Sequence, residues 1–367
     1  MKNLPKILPI NTVFFLFLTT NTSMKTYLLL FFSILTILSC SKKAGNNTPL
    51  PPKKIAFGSC CFQLGDLSIF KTIEKQNPDL YLALGDNMYV DMLTFPGILT
   101  DSAALAASYT MLKNNPYFRT FKERIPFIAT WDDHDYGGNN KGNEYPYKEV
   151  SQRLFLNFFN EPKTSDRWKR PGVYTSYYFG DEAHRLQIIV LDTRTFLDVF
   201  SAEPIAPTSD TSKRFLGNAE WIWLKGELQK PAQVRIVMTS TQMLHEHNGY
   251  ESWTNYPHEL ARFFQLIRDT RAEGVFMVSG DVHWAELSKQ QPAGLYPLYD
   301  MTSSGLNMLE FYPVANKYRV GNATRDLNFG MIDIDWDSNP INITLRIYNQ
   351  QGIVRIEHTI PLSELKF

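Results

Sequence analysis

Short apolar runs alternate with segments of helical spacing along most of this chain. The apolar runs have the length of strands, and they lie at 55–57, 80–84, 125–130, 174–179, 186–191, 234–238 and 275–278. Helical periodicity occurs between them, at 67–76, 101–121, 149–159, 219–229 and 257–271. From residue 331 the period changes to two, as in antiparallel strands, over 331–336 and 341–348. The pattern therefore predicts an α/β fold with βαβ-like units followed by a β-rich tail.

Polar residues collect directly after these strands and not within the helices. The densest group is Trp131-Asp132-Asp133-His134-Asp135, and two glycines follow it closely. The strands at 55–57, 80–84 and 275–278 are followed by similar groups, which contain Cys60, Asp86 with Tyr89, and Asp281 with His283. Ligands of α/β proteins bind at the carboxyl ends of the strands. We therefore expect these groups to converge along one edge of a sheet.

Carboxylates that gather without matching lysines or arginines repel one another. Two carboxylates about 4 Å apart repel by several kcal/mol at an effective dielectric constant near ~20, and bound cations would relieve that repulsion. Thiol, phenol and imidazole groups suit a trivalent or softer transition metal, whereas carboxylates suit a harder ion. The first kind of ligand is offered by Cys60, Tyr89 and His283, the second by Asp133 and Asp281, and a bridging carboxylate by Asp86. These groups predict a mixed dinuclear site, an arrangement that serves displacement at phosphorus.

Each group taken alone also fits a structural role. Gly-Asp-Asn at 85–87 is a common turn sequence, and Cys60 is compatible with a small core residue. Tyr89 could be a packing residue, and His134 could be a hydrogen-bonded structural histidine. The prediction of a site depends on the recurrence of such groups at the ends of successive strands.

The composition limits the classes of function. The chain has 367 residues and a formal net charge of zero, so it lacks the basic excess that a nucleic-acid-binding surface needs. Residues 54–367 have a length that suits a single large domain. We expect a monomer without a nucleic-acid partner.

The first forty residues have the features of a secretory signal. A basic start at Met24 precedes an apolar run at 27–38, which is too short to span a bilayer comfortably. The sequence Ile37-Leu38-Ser39-Cys40 resembles a bacterial lipobox, which implies cleavage before Cys40 and acylation of its sulfur. We expect a signal segment over 1–39 with Met24 as the true start, a tether over 40–53, and a membrane-anchored lipoprotein in the periplasm or at the cell surface. A single uncleaved anchor is the alternative.

Seven motifs occur in a fixed order along the chain. They are F-G-S-C at 57–60, L-G-D-N-M-Y at 84–89, W-D-D-H-D at 131–135, L-D-T-R at 191–194, S-W-T-N-Y-P at 252–257, S-G-D-V-H at 279–283 and T-S-S-G-L at 302–306. Together they resemble the PhoD-type alkaline phosphatases of the calcineurin-like metallophosphoesterase superfamily. The resemblance implies a four-layer αββα sandwich, in which helices flank two mixed sheets. It also implies a dinuclear hydrolase with Fe³⁺ and Ca²⁺, and Zn, Mn or Mg are alternatives at the second position.

The same resemblance implies individual roles. The implied metal ligands are Cys60, Asp86, Tyr89, Asp133, Asp281 and His283. Of these, Cys60 and Tyr89 would bind iron, and Asp86 would bridge the two ions. His134 would protonate the leaving oxygen or stabilise charge in the transition state, and Asp135 would orient His134.

One departure from the superfamily pattern lies after the strand at 234–238. A further histidine is common there, but this chain has Thr239-Ser240-Thr241-Gln242, and oxygen groups favour a hard ion such as Ca²⁺ over Zn²⁺. Weaker candidates for substrate contact are Arg194, Gln242 and His245. For Arg194, a structural ion pair with a nearby aspartate fits equally well.

We therefore expect a secreted, lipid-anchored phosphoesterase that hydrolyses phosphodiesters or a broad range of phosphoesters. An alkaline phosphomonoesterase for phosphate scavenging is one alternative. A catalytically silent lipoprotein that binds anions or metal is another.

Overall fold

The computed structural model describes residues 50–93, 100–199, 206–309 and 312–367. The expected signal segment 1–39, the expected lipidation site Cys40 and the tether up to residue 49 lie outside these described residues. Among the helices that the structure describes, none is long and apolar enough to cross a membrane.

Two six-stranded mixed sheets form the centre of the fold. The first contains β1 (Lys54–Gly58), β2 (Leu80–Leu84), β3 (Phe127–Thr130), β10 (Asn328–Asp335), β11 (Asn342–Asn349) and β12 (Val354–Pro361), in the order β12-β11-β10-β1-β2-β3. The second contains β4 (Thr175–Phe179), β5 (Leu186–Val190), β6 (Val234–Met238), β7 (Val275–Ser279), β8 (Ala285–Gln290) and β9 (Leu298–Ser303), in the order β4-β5-β6-β7-β9-β8.

The strand pairing follows the change of period in the sequence. Strands β1, β2 and β3 pair in parallel, and so do β5, β6 and β7. The tail strands β10, β11 and β12 pair antiparallel to their neighbours, as the two-residue alternation predicts. The carboxyl ends of the parallel strands carry the polar groups.

Helices cover the outer face of each sheet. They are α1 (Ile69–Lys75), α2 (Ser102–Asn114), α3 (Pro116–Arg124), the one-turn α4 (Asp133–Tyr136), α5 (Lys148–Phe158), α6 (Asn218–Leu228) and α7 (Pro257–Thr270). The predicted helical segment at 101–121 is divided into α2 and α3 at Pro116. The side chain of Asn115 accepts hydrogen bonds from the amides of Tyr117 and Phe118, and Pro116 occupies the first position of α3, where a missing N–H costs nothing.

Alternation within a strand distributes its side chains between two cores. In β2, Leu82 and Leu84 pack in the core that contains both sheets, whereas Tyr81 and Ala83 pack in the core that contains α1, α2, α3 and α5. Residues of α6 and α7 pack on the second sheet. The predicted four-layer αββα sandwich is confirmed.

Some elements differ from the sequence expectation. Strands β8, β9 and β12 have no counterpart among the predicted runs. The acidic stretch after β3, which lies outside the predicted helical segments, forms the single helical turn α4.

Candidate metal centre

The structure brings the six predicted metal ligands together at the ends of four strands. Cys60 follows β1, Asp86 and Tyr89 follow β2, Asp133 follows β3, and Asp281 and His283 follow β7. Three groups of these and neighbouring side chains have potential ligand atoms within 4.8 Å of one another, and Asp86 belongs to all three groups. Asp86 therefore lies at the centre of the site.

The backbone turns sharply where these residues leave their strands. Cys60, Asp86, Asp281 and His283 have positive φ angles of 63°, 48°, 76° and 61°. Residues other than glycine adopt this conformation rarely and at a cost in free energy. The surrounding structure therefore stabilises an unfavourable backbone at four residues whose side chains belong to the donor groups around Asp86.

Glycines allow the strand ends to approach closely. A Cβ atom at Gly85 would lie 2.6 Å from the Cβ of Asp132 and 2.8 Å from its amide nitrogen. A Cβ atom at Gly280 would lie 2.3 Å from the Oγ of Ser59. Both distances are too short for any larger residue, so the Gly-Asp sequences at 85–86 and 280–281 are required by the packing of the site.

One side of the site carries the thiol, phenol and imidazole groups. The Oη of Tyr89 lies 3.2 Å from Oδ2 of Asp86 and 3.0 Å from Nε2 of His283. The Sγ of Cys60 lies 3.5 Å from the same Oδ2 of Asp86 and 3.0 Å from Oγ of Ser304. These donors are buried and surround one point, as ligands of a single ion would.

The other side carries carboxylates. Asp86, Asp132, Asp133 and Asp281 each offer an oxygen within 4.8 Å of the others. Of the four, Asp132 pairs with the guanidinium of Arg194 and accepts from Oγ of Ser240 at 2.7 Å. Asp133 accepts from the amides of His134 at 2.8 Å and Asn140 at 2.6 Å.

The charges of these groups fit bound cations. Burial raises the pKa of Asp86 well above its usual range, and burial together with the charges of Asp132 and Asp133 does the same for Asp281. Burial raises the pKa of the Cys60 thiol to about 12 and lowers the pKa of His283 to about 4. Cations next to these atoms would favour the ionised thiol and carboxylates and the neutral imidazole. The residues present therefore fit bound metal ions, and Asp86 is the carboxylate common to all three groups of donors.

His134 lies at the edge of this cluster, with its side chain 15% exposed. Its Nδ1 lies 2.7 Å from Oδ1 of Asp91, and its ring packs against Tyr89 with centroids 4.2 Å apart. Although burial alone would lower the pKa of His134, the carboxylates of Asp133, Asp86 and Asp91 raise it to about 10. Because Asp91 occupies Nδ1, Nε2 is the ring nitrogen that can donate to a ligand.

The expectation that Asp135 orients His134 is not met. Asp135 accepts hydrogen bonds from the amide of Asp132 at 2.7 Å, from the amide of Asp86 at 3.1 Å and from Nδ2 of Asn87 at 2.6 Å. Neighbouring residues of a helical turn point in different directions, so Asp135 faces the end of β2 while His134 faces the cavity. Asp135 joins the ends of β2 and β3, and Asp91 holds the imidazole.

Arg194 is not positioned to contact a substrate. Its side chain is 0% exposed, and its guanidinium pairs with Asp132 and Glu251. The pairing with Asp132 is the structural ion pair that the sequence allowed as an alternative to substrate contact. Arg194 balances charge behind the metal ligands.

Gln242 and His245 are also buried within the protein. Nε2 of Gln242 donates to Oε1 of Glu286 at 2.8 Å and to Oγ1 of Thr302 at 3.0 Å. Nε2 of His245 lies 3.7 Å from the same Glu286 oxygen. Neither residue lines the cavity above the metal ligands, so the expectation of substrate contact is not met for either.

The cavity above the cluster has a volume of about 390 Å³. Its walls include residues that the sequence did not indicate, namely Asp91, Met92, Asn139, Asn140, Tyr250, Glu251, Val282 and Met308. Among the described residues that line it, none is lysine or arginine. The cavity thus combines an acidic floor with partly apolar walls.

Known proteins resemble the chain over the part that contains these residues. A family model described as PhoD-like phosphatase matches residues 55–319. Alkaline phosphatase D of Bacillus subtilis (strain 168) is 24% identical over 307 residues, which cover 71% of this chain and 50% of that protein. The chain therefore spans about half the length of this curated relative.

Solved structures share the fold. The structure of PhoD aligns with a TM-score of 0.63 at 16% identity, over 85% of this chain and 72% of that chain. A dimetal phosphatase from Danio rerio aligns with a TM-score of 0.52 at 11% identity, over 85% of this chain and 100% of that chain. At these identities the likeness establishes the fold.

Proposed function

The chain belongs to the PhoD-like phosphatase family, and we propose that it is a metal-dependent phosphoesterase whose active site is the cavity above Asp86. The observation that carries this proposal is the position of Asp86 between two sets of ligands. Cys60, Tyr89 and His283 lie on one side, and Asp133 and Asp281 lie on the other. A pair of cations held there would activate water and neutralise phosphoryl oxygens.

Residues around the metal ligands would donate the proton and position the site. Asp91 holds Nδ1 of His134, which directs Nε2 to donate a proton to the leaving oxygen. Asp135 holds the amides of Asp86 and Asp132 and so keeps the carboxylates of both strand ends in register.

We further propose that phosphodiesters are preferred to phosphomonoesters. A diester carries one negative charge and a monoester up to two, and the described lining of the cavity offers acidic and apolar side chains without lysine or arginine. Met92, Tyr250 and Met308 provide apolar surface for the second substituent of a diester. The alternative is an alkaline phosphomonoesterase.

Two chromogenic substrates separate these possibilities. Purified protein is supplied with iron and calcium and assayed with bis(p-nitrophenyl) phosphate and p-nitrophenyl phosphate at matched pH. A higher kcat/KM for the diester supports the proposed preference, and a higher value for the monoester supports the alternative. If the protein hydrolyses neither substrate, a catalytically silent lipoprotein that binds anions or metal is favoured.

The metal identities that we propose are ferric iron beside Cys60, Tyr89 and His283 and calcium beside Asp133 and Asp281. Buried thiol, phenol and imidazole ligands support the first assignment, and a carboxylate set supports the second. A ferric phenolate absorbs visible light, so the protein should be coloured and Tyr89→Phe should lose the colour. Two zinc ions per chain and no iron would contradict the assignment.

Export and lipidation at Cys40 are also proposals. They are supported by the lipobox-like sequence Ile37-Leu38-Ser39-Cys40. Labelling with a radioactive fatty acid in a bacterial host should mark the full chain and not Cys40→Ser. Equal labelling of both would contradict the proposal.

A further inference from the structure

A second cavity lies along one side of α5, apart from the metal centre. It has a volume of about 340 Å³, within the range of small-ligand sites, and it shares no lining residue with the cavity above Asp86. Five basic residues line it together with a single acidic residue, Glu149. They are Lys148, Arg153, Arg167, Lys169 and Arg170. We call this cavity the basic cleft.

Three of these cations lack a carboxylate partner among the residues that the structure describes. Nζ of Lys148 donates to the carbonyl oxygen of Asn143 at 2.6 Å. The guanidinium of Arg170 donates to the carbonyl oxygen of Tyr174 and stacks on its ring, 3.6 Å from the centroid. Arg153 is exposed on α5 and forms no ion pair within the described ranges. The basic cleft therefore carries positive charge that the protein itself does not balance.

Arg167 is a buried part of the cleft wall. Only 1% of this residue is exposed. One terminal nitrogen pairs with Glu161 at 3.1 Å, and the other donates to the carbonyl oxygen of Ala129 at 2.8 Å. Its Nε has no hydrogen-bond partner in the described part of the chain. Because Nε is itself enclosed by the protein, Arg167 forms a fixed part of the wall and does not donate into the cleft.

The cleft is built rather than formed by chance contact of surface side chains. Nε2 of Gln152 donates to the carbonyl oxygens of Arg167, Arg170 and Gly172, and its Oε1 accepts from the amide of Gly172. Gln152 thus holds the loop that carries the arginines against α5. The N-terminus of α5, which is the positive end of its dipole, borders one end of the cleft, and the side chain of Tyr147 does not cap it.

We propose that the basic cleft is a binding site for a phosphate-type oxyanion, separate from the metal centre. Arginine side chains and a helix N-terminus are groups that bind phosphate in proteins, and Lys148, Arg153 and Arg170 offer positive charge without a carboxylate partner among the described residues. Inorganic phosphate and the phosphate group of an ester share this chemistry. The proposal does not depend on phosphoester hydrolysis in the cavity above Asp86.

Calorimetric titration tests the site in the full, metal-loaded protein. Inorganic phosphate is titrated into the wild type, the double variant Lys148→Gln/Arg153→Gln and the matched control Lys225→Gln, which removes one exposed cation from α6. The double variant should bind phosphate at the cleft at least tenfold more weakly, whereas Lys225→Gln should bind it as the wild type does. Dimethyl phosphate, titrated in parallel, identifies the source, because binding of inorganic phosphate alone indicates the free ion and binding of the diester indicates an ester group.

A metal-centre variant separates the two sites. Asp281→Asn should retain the binding event that the double variant loses, and the double variant should retain turnover of bis(p-nitrophenyl) phosphate. The proposal is overturned if neither anion binds, if the double variant binds both as the wild type does, or if Asp281→Asn abolishes all binding. If the protein is not a phosphoesterase, it should show no turnover of bis(p-nitrophenyl) phosphate but should still bind phosphate at the basic cleft.

Discussion

The contact between Asp91 and His134 allows a sharp test of the proposed proton donor. Asp91→Asn keeps the shape of the side chain and one oxygen, but it removes the charge that faces Nδ1 at 2.7 Å. The amide of Asn139 donates to the other carboxylate oxygen at 2.9 Å. The side chain of asparagine has only one oxygen, so at least one of these two hydrogen bonds must be lost or reversed in Asp91→Asn.

The expected loss follows from the strength of this hydrogen bond. A hydrogen bond to a charged group contributes roughly 1.5–3 kcal/mol, and each ~1.4 kcal/mol corresponds to tenfold in rate. Asp91→Asn should therefore lower kcat by about 10- to 100-fold for a substrate whose leaving group must be protonated. Removal of the acid itself in His134→Gln should cost about 10²- to 10⁴-fold.

The choice of leaving group distinguishes positioning from damage to the fold. A p-nitrophenolate leaves without protonation, whereas an alkoxide needs the proton. In Asp91→Asn the loss should be large for an alkyl phosphodiester and small for bis(p-nitrophenyl) phosphate, with metal content unchanged. Asp269→Asn, on the exposed face of α7, should leave both rates unchanged.

Two results would refute the role of Asp91. Equal losses with both leaving groups would indicate a structural effect. The second result concerns the double variant Asp91→Asn/His134→Gln. If its loss of kcat equals the product of the two single losses, the two residues act independently.

Two further predictions concern the support of the site. Arg194→Leu leaves the buried carboxylates of Asp132 and Glu251 without their cation, which should cost about 3–5 kcal/mol of stability and lower Tm by roughly 5–15 °C; an unchanged Tm in calorimetry would contradict the buried ion pair. Gly85→Ala places a Cβ 2.6 Å from Asp132 at a φ of 109° and should lower both Tm and metal content. Gly226→Ala, a position in α6 with no atom within 4 Å of the added Cβ, should be neutral or stabilising by about 1 kcal/mol, and equal effects of the two changes would contradict the close approach.

The sequence predicted the parts of the site that depend on position along a strand. Cys60, Asp86 and His283 each follow an apolar run directly, and the carboxyl ends of parallel strands lie at one edge of a sheet. Local order along the chain therefore carried enough information to place them. The alternation of strands and helices indicated an α/β fold with a β-rich tail, whereas the four-layer αββα arrangement was implied by the resemblance to the PhoD-type alkaline phosphatases.

The residues that the sequence missed depend on contacts between distant or differently oriented segments. Asp91 reaches His134 across 43 positions, and proximity in sequence favoured Asp135 instead. Glu251 enters the cavity wall from the segment between β6 and α7, and no local pattern marks it. Arg194 was a candidate for phosphate contact in the sequence, but its partners Asp132 and Glu251 lie 62 and 57 positions away. Its burial between these two carboxylates excludes that contact.

Metal stoichiometry tests most directly whether Asp86 is shared by two metal ions. Metal content per chain is measured by inductively coupled plasma mass spectrometry for the wild type, Asp86→Ala and Asp281→Asn, each checked for folding by circular dichroism. We predict two ions in the wild type, loss of both in Asp86→Ala, and loss of one in Asp281→Asn. A wild type with a single ion, or an Asp86→Ala variant that keeps one ion at full occupancy, would contradict the claim.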